Sequence, residues 1–150
     1  MTTPIQPYQG SYLIPAFEKA TVADVMRPGV LSCRPDVPGV DVARTMATHH
    51  IHAVVVEGVR VDAIHGEKLV WGVVSDLDLA RAAYTGIADR TAGDLAATEP
   101  VTIEPTTSLA EAARLMDEHA TAHLIVVEDR RPVGMISTLD LAGALAWGRA

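Results

Sequence analysis

The chain repeats itself, and the repeat limits what it can fold into. A shift of 70 residues lays Thr21 on Thr91, Asp24 on Asp94, Pro35 on Pro105, Arg44 on Arg114, Met46 on Met116 and His49 on His119. The apolar run at 54–56 falls on the run at 124–126. After that the shift becomes 62: Gly72 falls on Gly134, Ser75 on Ser137, Leu77 on Leu139 and Asp78 on Asp140. The first copy therefore carries eight extra residues between Val56 and Gly72. Ordered matches along a whole repeat, with one insertion, mark a duplicated unit.

Each copy reads as β-α-β-β-α. A short turn (TVADVM, TAGDLA) leads into an extended piece ending in proline. An amphipathic helix follows. In copy two, Leu109, Ala112, Ala113 and Met116 share one helical face, with Ser108 as N-cap and Glu111 three residues on. In copy one, Pro38 and Gly39 replace the cap, and Val42, Ala43 and Met46 keep the stripe. Two apolar runs then predict adjacent buried strands. A second helix starts near Asp76 and near Thr138. The insertion alternates at Val59, Val61 and Ala63, which predicts a longer hairpin. A unit of this size is marginal alone, so the copies are expected to bury each other's open sheet faces. The expected organisation is an arm at 1–20, a first repeat at 21–84, a linker at 85–90 and a second repeat at 91–147. The arm holds Tyr8, Tyr12 and Phe17, half of the six aromatics, and is expected to lie against the body or a partner subunit.

Composition narrows the function classes. Hydrophobic residues are 49% and charged residues 21%, a globular balance that argues against wholesale disorder. The net charge of −7 is wrong for a domain that grips nucleic acid by its phosphates. The lone cysteine, Cys33, rules out a disulfide framework within the chain and predicts a reducing cytoplasmic setting with a buried, inert thiol. Residues 1–10 carry no lysine or arginine and no apolar run, so no signal peptide is expected. No stretch approaches the roughly 20 apolar residues of a membrane span.

The chemistry-bearing segment is Gly-apolar-apolar-Ser-x-Leu-Asp, at 72–78 and again at 134–140. Ser-x-x-Asp at a strand-to-helix junction is a capping box: the serine caps backbone N–H groups and the aspartate reaches back. The same geometry suits a nucleotide. Free N–H groups and a hydroxyl hold phosphate, an aspartate accepts from a ribose diol, and a glycine lets a flat base approach closely. The residues alone leave both readings open.

With its tandem copies and repeated G-h-h-S-x-x-D segments, the chain resembles a tandem cystathionine-β-synthase (CBS) domain pair, the Bateman module, over about residues 21–147. The resemblance implies an α/β (α+β) fold of two repeats packed with pseudo-twofold symmetry, and clefts that take adenosine ligands (AMP, ADP, ATP, S-adenosylmethionine). It implies that Asp78 and Asp140 hold ribose, and that Ser75 and Ser137 hold phosphate or ribose. The strand entries, with Ile51, His52 and His123, would face the phosphates, and Leu31 and Val101 would help hold the base. The family often sets proline in the second strand and a basic residue before it. Here Val55 and Ile125 stand in that strand, and His52 or His123 must serve as the basic residue.

No P-loop, dinucleotide-binding, nucleophile-elbow or zincin pattern occurs, so no catalysis is expected. His119 and His123 have metal-like spacing but straddle a helix end, and His49 and His119 suit a helix C-terminus. Three functions remain in view: a stand-alone sensor with an adenosine nucleotide as regulatory ligand and no required cofactor, a scaffold without ligand, or a histidine-based metal-binding stress protein. The resemblance implies a homodimer, which is also the commonest oligomer and which an apolar helix face at Ala80, Ala83, Ala142, Leu145 and Trp147 would suit, beside an unidentified regulated protein.

Overall fold

The computed structural model describes residues 15–62, 64, 66–97 and 99–148, with backbone alone at 59–62 and 66–69. Tyr8, Tyr12, Ala63 and His65 lie outside the described residues. In chain order the elements are α1 (Val22–Val25), β1 (Arg27–Pro28), β2 (Ser32–Cys33), α2 (Gly39–His49), β3 (Ala53–Asp62), β4 (Gly66–Ser75) and α3 (Asp76–Thr85). Then come α4 (Ala92–Leu95), β5 (Thr102–Ile103), α5 (Leu109–Glu118), β6 (His123–Glu128), β7 (Arg131–Ser137) and α6 (Thr138–Trp147). The mixed α/β fold and the β-α-β-β-α order of each repeat are as the sequence predicts.

The chain forms two compact units, and they do not coincide with the repeats. One unit is Val30–Pro100. The other joins the chain up to Gly29 with everything from Val101 on. The opening turn of each repeat is thus exchanged. In the composite unit Val22 and Ala23 donate to Thr107 and Pro105 carbonyls at 2.8 and 2.9 Å, and β1 pairs antiparallel with β7. In the continuous unit Ala92 and Gly93 donate in the same way to Val37 and Pro35, at 2.7 and 2.9 Å. A repeat in sequence records similarity, not contact, so the exchange could not be read from the offset.

The continuous unit holds a three-stranded sheet, β2-β3-β4, with β2 parallel and β4 antiparallel to β3. The insertion extends the β3–β4 hairpin in unbroken register from Ala53↔Ser75 to Asp62↔Gly66. The composite unit holds four strands, β1-β7-β6-β5, with a register shift at Val126/Val127. Its core gathers Val22, Ile103, Leu109, Ala112, Met116, Leu124, Val126, Ile136 and Leu141, and Phe17 of the arm packs against it. The other core is built of smaller residues: Val42, Met46, Val54, Val56, Val74, Ala82, Ala92 and Leu95. Each large side chain withdrawn from water in this way contributes about 2 kcal/mol.

Candidate functional site

Each Ser-x-x-Asp segment sits where an edge of the hairpin turns into a helix. In the continuous unit, β4 ends at Ser75 and α3 begins at Asp76. Ser75 N–H and its hydroxyl both donate to Asp78 Oδ2, at 2.8 and 3.0 Å, and Asp78 N–H donates to Ser75 Oγ at 3.3 Å. In the composite unit, Ser137 N–H and hydroxyl donate to Asp140 Oδ2 at 2.8 and 3.2 Å. Both aspartates are buried, Asp78 at 2% exposure and Asp140 at 5%. The capping boxes read from the sequence are therefore formed, and they give the carboxylates a structural duty whatever else they do.

The strand-entry residues come to the same end of each hairpin. Ala53 pairs with Ser75 and His123 with Ser137. His52 carbonyl accepts from Asp76 N–H and Ala122 carbonyl from Thr138 N–H, each at 2.9 Å. The first-strand residues align likewise: Leu31 carbonyl accepts from Val55 at 2.9 Å and Val101 carbonyl from Ile125 at 3.0 Å. Leu31 is left 40% exposed, while Val101 packs on the core beside it. Ile51 packs on the core of the continuous unit. All nine expected site residues thus fall into two groups, Leu31, Ile51, His52, Ser75 and Asp78 in one unit and Val101, His123, Ser137 and Asp140 in the other.

The two histidines are not counterparts. His52 stands one residue before β3, half exposed, with Nδ1 3.1 Å from Asp76 Oδ2. His123 opens β6 in the register position of Ala53, and its Nδ1 is buried. The one-residue offset swaps which side of the strand the ring takes. Asp76 and Arg81 are residues of the site that sequence reasoning missed. Arg81 Nη1 lies 3.5 Å from Asp78 Oδ1, and the i, i+3 spacing of the pair was the available signal.

Cys33 lies in β2 as expected but is half-buried rather than fully so. Desolvation, and then the nearby Asp36 carboxylate, push its thiol above the usual cysteine range. It lines a cavity of about 640 Å³ with Arg34, Pro35, Glu57 and Gly58, midway along the hairpin from the Ala53–Ser75 pair. His49 ends α2 and His119 caps α5, as the dipole argument places them. Among the described residues, no group of three or more His, Cys, Asp or Glu is placed to hold a metal ion. Among the same residues, no helix is long and apolar enough to cross a membrane.

The family model for the CBS domain matches residues 22–85 and again 92–146. The chain belongs to the CBS domain family. It is 27% identical over 142 residues to the CBS domain-containing protein CBSX3, mitochondrial, of Arabidopsis thaliana, across 86% of this chain and 66% of that protein. The chain therefore spans just under two thirds of that curated relative. Among solved structures, the CBS domain pair of protein MJ0100 in complex with 5′-methylthioadenosine and S-adenosyl-L-methionine aligns with a TM-score of 0.67 at 21% identity, covering 82% of this chain and 97% of that one. Hypoxic Response Protein I with two coordinated zinc ions aligns with a TM-score of 0.63 at 26% identity, covering 82% and 97%. A tandem CBS pair is the architecture that the repeats, the elements and the relatives share.

Proposed function

We propose that this CBS pair is a regulatory module that binds an adenosine ligand, AMP, ADP, ATP or an S-adenosylmethionine-like compound, and catalyses nothing itself. The observation that carries the reading is the doubled Ser-x-x-Asp motif, with a buried aspartate at the head of a ten-residue helix beside the strand entry in both units. A helix N-terminus receives phosphate and a carboxylate receives sugar hydroxyls. The MJ0100 pair, a relative in fold, was solved with two adenosine compounds. Regulation would follow from different ligand affinity for two arrangements of the protein.

Assembly as a homodimer accompanies the reading. On α3 Leu77 and Tyr84, and on α6 Leu139, Leu145 and Trp147, are more than half exposed, so each helix offers an apolar face suited to a second copy. A regulated protein partner in the cytoplasm completes the picture, with neither nucleic acid nor membrane involved. The formed capping boxes favour one competing reading, a scaffold in which Ser75, Asp78, Ser137 and Asp140 only cap helices.

A thermal-shift screen with AMP, ADP, ATP, S-adenosylmethionine, NAD and zinc, followed by calorimetry, separates these readings. A ligand at a hundred times its Kd adds about 2.7 kcal/mol and raises Tm by several degrees. A nucleotide shift that disappears on Asp78→Ala or Asp140→Ala, with the fold intact, is the expected result. Response to zinc alone supports the metal-binding alternative, and response to nothing leaves the scaffold.

A further inference from the structure

The last helix, α6, is apolar on both sides. Leu141, Gly143 and Ala144 are buried, and Leu139, Ala142, Leu145, Ala146 and Trp147 are exposed. Its one charged residue, Asp140, is buried. α3 differs, since Asp76 and Arg81 stand on its exposed side. A helix apolar all round is normally enclosed, so the exposed side of α6 is built to be covered. The beginning of the arm lies against that helix. A Cβ added at Gly148 would stand 2.7 Å from the Pro15 carbonyl oxygen and 3.3 Å from Ala16 Cα, so the backbone of 15–16 crosses the C-terminal end of α6 in direct contact. Phe17 packs on the core that holds Leu141 and Ala144, and the Lys19 and Ala20 N–H groups donate back to the Ala16 carbonyl at 2.8 and 2.9 Å. The chain is thus fixed at 15–20, and covalent geometry starts the segment 1–14 at that end of the helix. The segment carries no charged side chain, the first in the chain being Glu18, and it includes Tyr8, Tyr12, Leu13 and Ile14. Such groups gain by leaving water for an apolar surface.

We propose that residues 8–14 cover the exposed side of α6 in their own chain, running back from Gly148 toward Leu139. An extended chain advances about 3.3 Å per residue and a helix about 1.5 Å, which brings Tyr12 beside Ala142. Ala142 is the small residue between Leu139 and Leu145 on the exposed side, and a tyrosine ring fills the gap it leaves. The tether holds the segment at an effective concentration on the order of mM, well above that of a second copy in dilute solution, so its own chain supplies the occupant. α3 is then the apolar face left for a second copy. The inference goes beyond the adenosine reading and does not depend on it.

Disulfide trapping on the full chain tests this. Cys33→Ser removes the single native thiol, and Tyr12→Cys with Ala142→Cys sets the pair. Oxidation with diamide is expected to close an intrachain bond: both thiols disappear, the chain stays monomeric on a non-reducing gel, and the rate holds over a hundredfold range of protein concentration. A control pair, Tyr12→Cys with Asp117→Cys on the exposed side of α5, should close at least tenfold more slowly. Equal rates for the two pairs, or a covalent dimer whose yield climbs with concentration, overturns the proposal, and the second result assigns α6 to another copy. A single variant, Tyr12→Ser, gives a separate reading if the cysteine pair disturbs folding. Hydroxyl-radical labelling of Leu145 should at least double in it, and unchanged labelling likewise overturns the proposal.

Discussion

The composite unit and the continuous unit start from the same repeat and end differently built. The composite unit closes the outer edge of its hairpin: β1 pairs with β7 through Arg27↔Met135 and Pro28↔Gly134. In the continuous unit, β4 is the end strand of its sheet, and its hairpin runs ten residues a side against six and seven. The helix after the first strand is capped by Ser108 in one unit and led by Pro38, without a side-chain cap, in the other. Leu124 and Ile136 in one core stand where Val54 and Val74 stand in the other. Duplication copied the topology, and later substitution placed packing and capping in one unit while the other acquired length. An element whose stability comes from many buried contacts is hard to move, and one with an open edge and a thinner core opens at lower cost.

The largest expected effect bears on the cores. Leu124→Ala removes three buried carbons from a fully buried site and should cost about 2–5 kcal/mol. Val54→Ala, its counterpart, removes two carbons and should cost less. Urea denaturation midpoints compare them directly, and an equal or reversed order would break the view that the composite unit has the stronger core.

The covered edge gives a sharper contrast. A Cβ added at Gly134 would stand 2.6 Å from the Arg27 carbonyl oxygen, which real contacts do not allow, so β1 must move off β7. At Gly72, the counterpart, the nearest neighbour is Ala96 Cβ at 3.8 Å, ordinary contact. Gly134→Ala should therefore cost about 1–3 kcal/mol, and Gly72→Ala should fall within about 0.5 kcal/mol of neutral. Hydrogen exchange at the Gly29 amide, which donates to Val133 at 2.7 Å, should accelerate in the first variant only. Unchanged protection there would mean that β1 contributes little to the sheet.

Capping differs by a smaller amount. Ser108 Oγ accepts from Glu111 N–H at 3.2 Å, so Ser108→Ala should cost about 1 kcal/mol. Pro38→Ala removes no capping bond and should show no loss from that source. A thermal midpoint series of the two variants settles whether the cap difference is felt.

The sequence made the local structure legible because local structure is periodic. The face carrying Leu109, Ala112 and Met116 is buried on α5, Val42 and Met46 are buried on α2, and α3 and α6 start at Asp76 and Thr138. The insertion alternates, and it pairs as a hairpin. Contacts between distant segments were not legible. Nothing in TVADVM says that Val22 donates to Thr107 rather than to its own repeat. In the site, the serines and aspartates were found because capping has a fixed spacing. His52 and His123 looked interchangeable because both lie near a strand entry, yet one residue of offset separates a half-exposed ring from one with a buried nitrogen. Arg81 was overlooked because a single arginine on a helix is usually solvated, and only the distance to Asp78 gives it a role.

The smallest effect concerns the exchanged turns, each of which opens with a Thr-x-x-Asp box. In α4, Thr91 N–H donates to Asp94 Oδ2 at 2.9 Å and Asp94 N–H donates to Thr91 Oγ1 at 3.3 Å. The backbone bond from Thr91, followed by its side-chain bond, holds the Asp94 carboxyl below the usual aspartate range. A carboxyl lowered on folding contributes stability that is fully present above its unfolded pKa, roughly 3.9, and is lost as the pH falls through the lower folded value. The window therefore lies on the acid side, below about pH 4, and neutral pH is untouched. Because Asp94 is exposed, water screens much of the effect. Asp94→Asn should flatten the acid limb of denaturant midpoint against pH while shifting the value at pH 7 only slightly. The change should be confined to amides of the unit that α4 packs in, Val30–Pro100, when hydrogen exchange is followed along the chain. If the composite unit loses protection instead, the opening turn of the second repeat would have to be assigned to its own repeat, and the exchange that distinguishes the two units would not hold in solution.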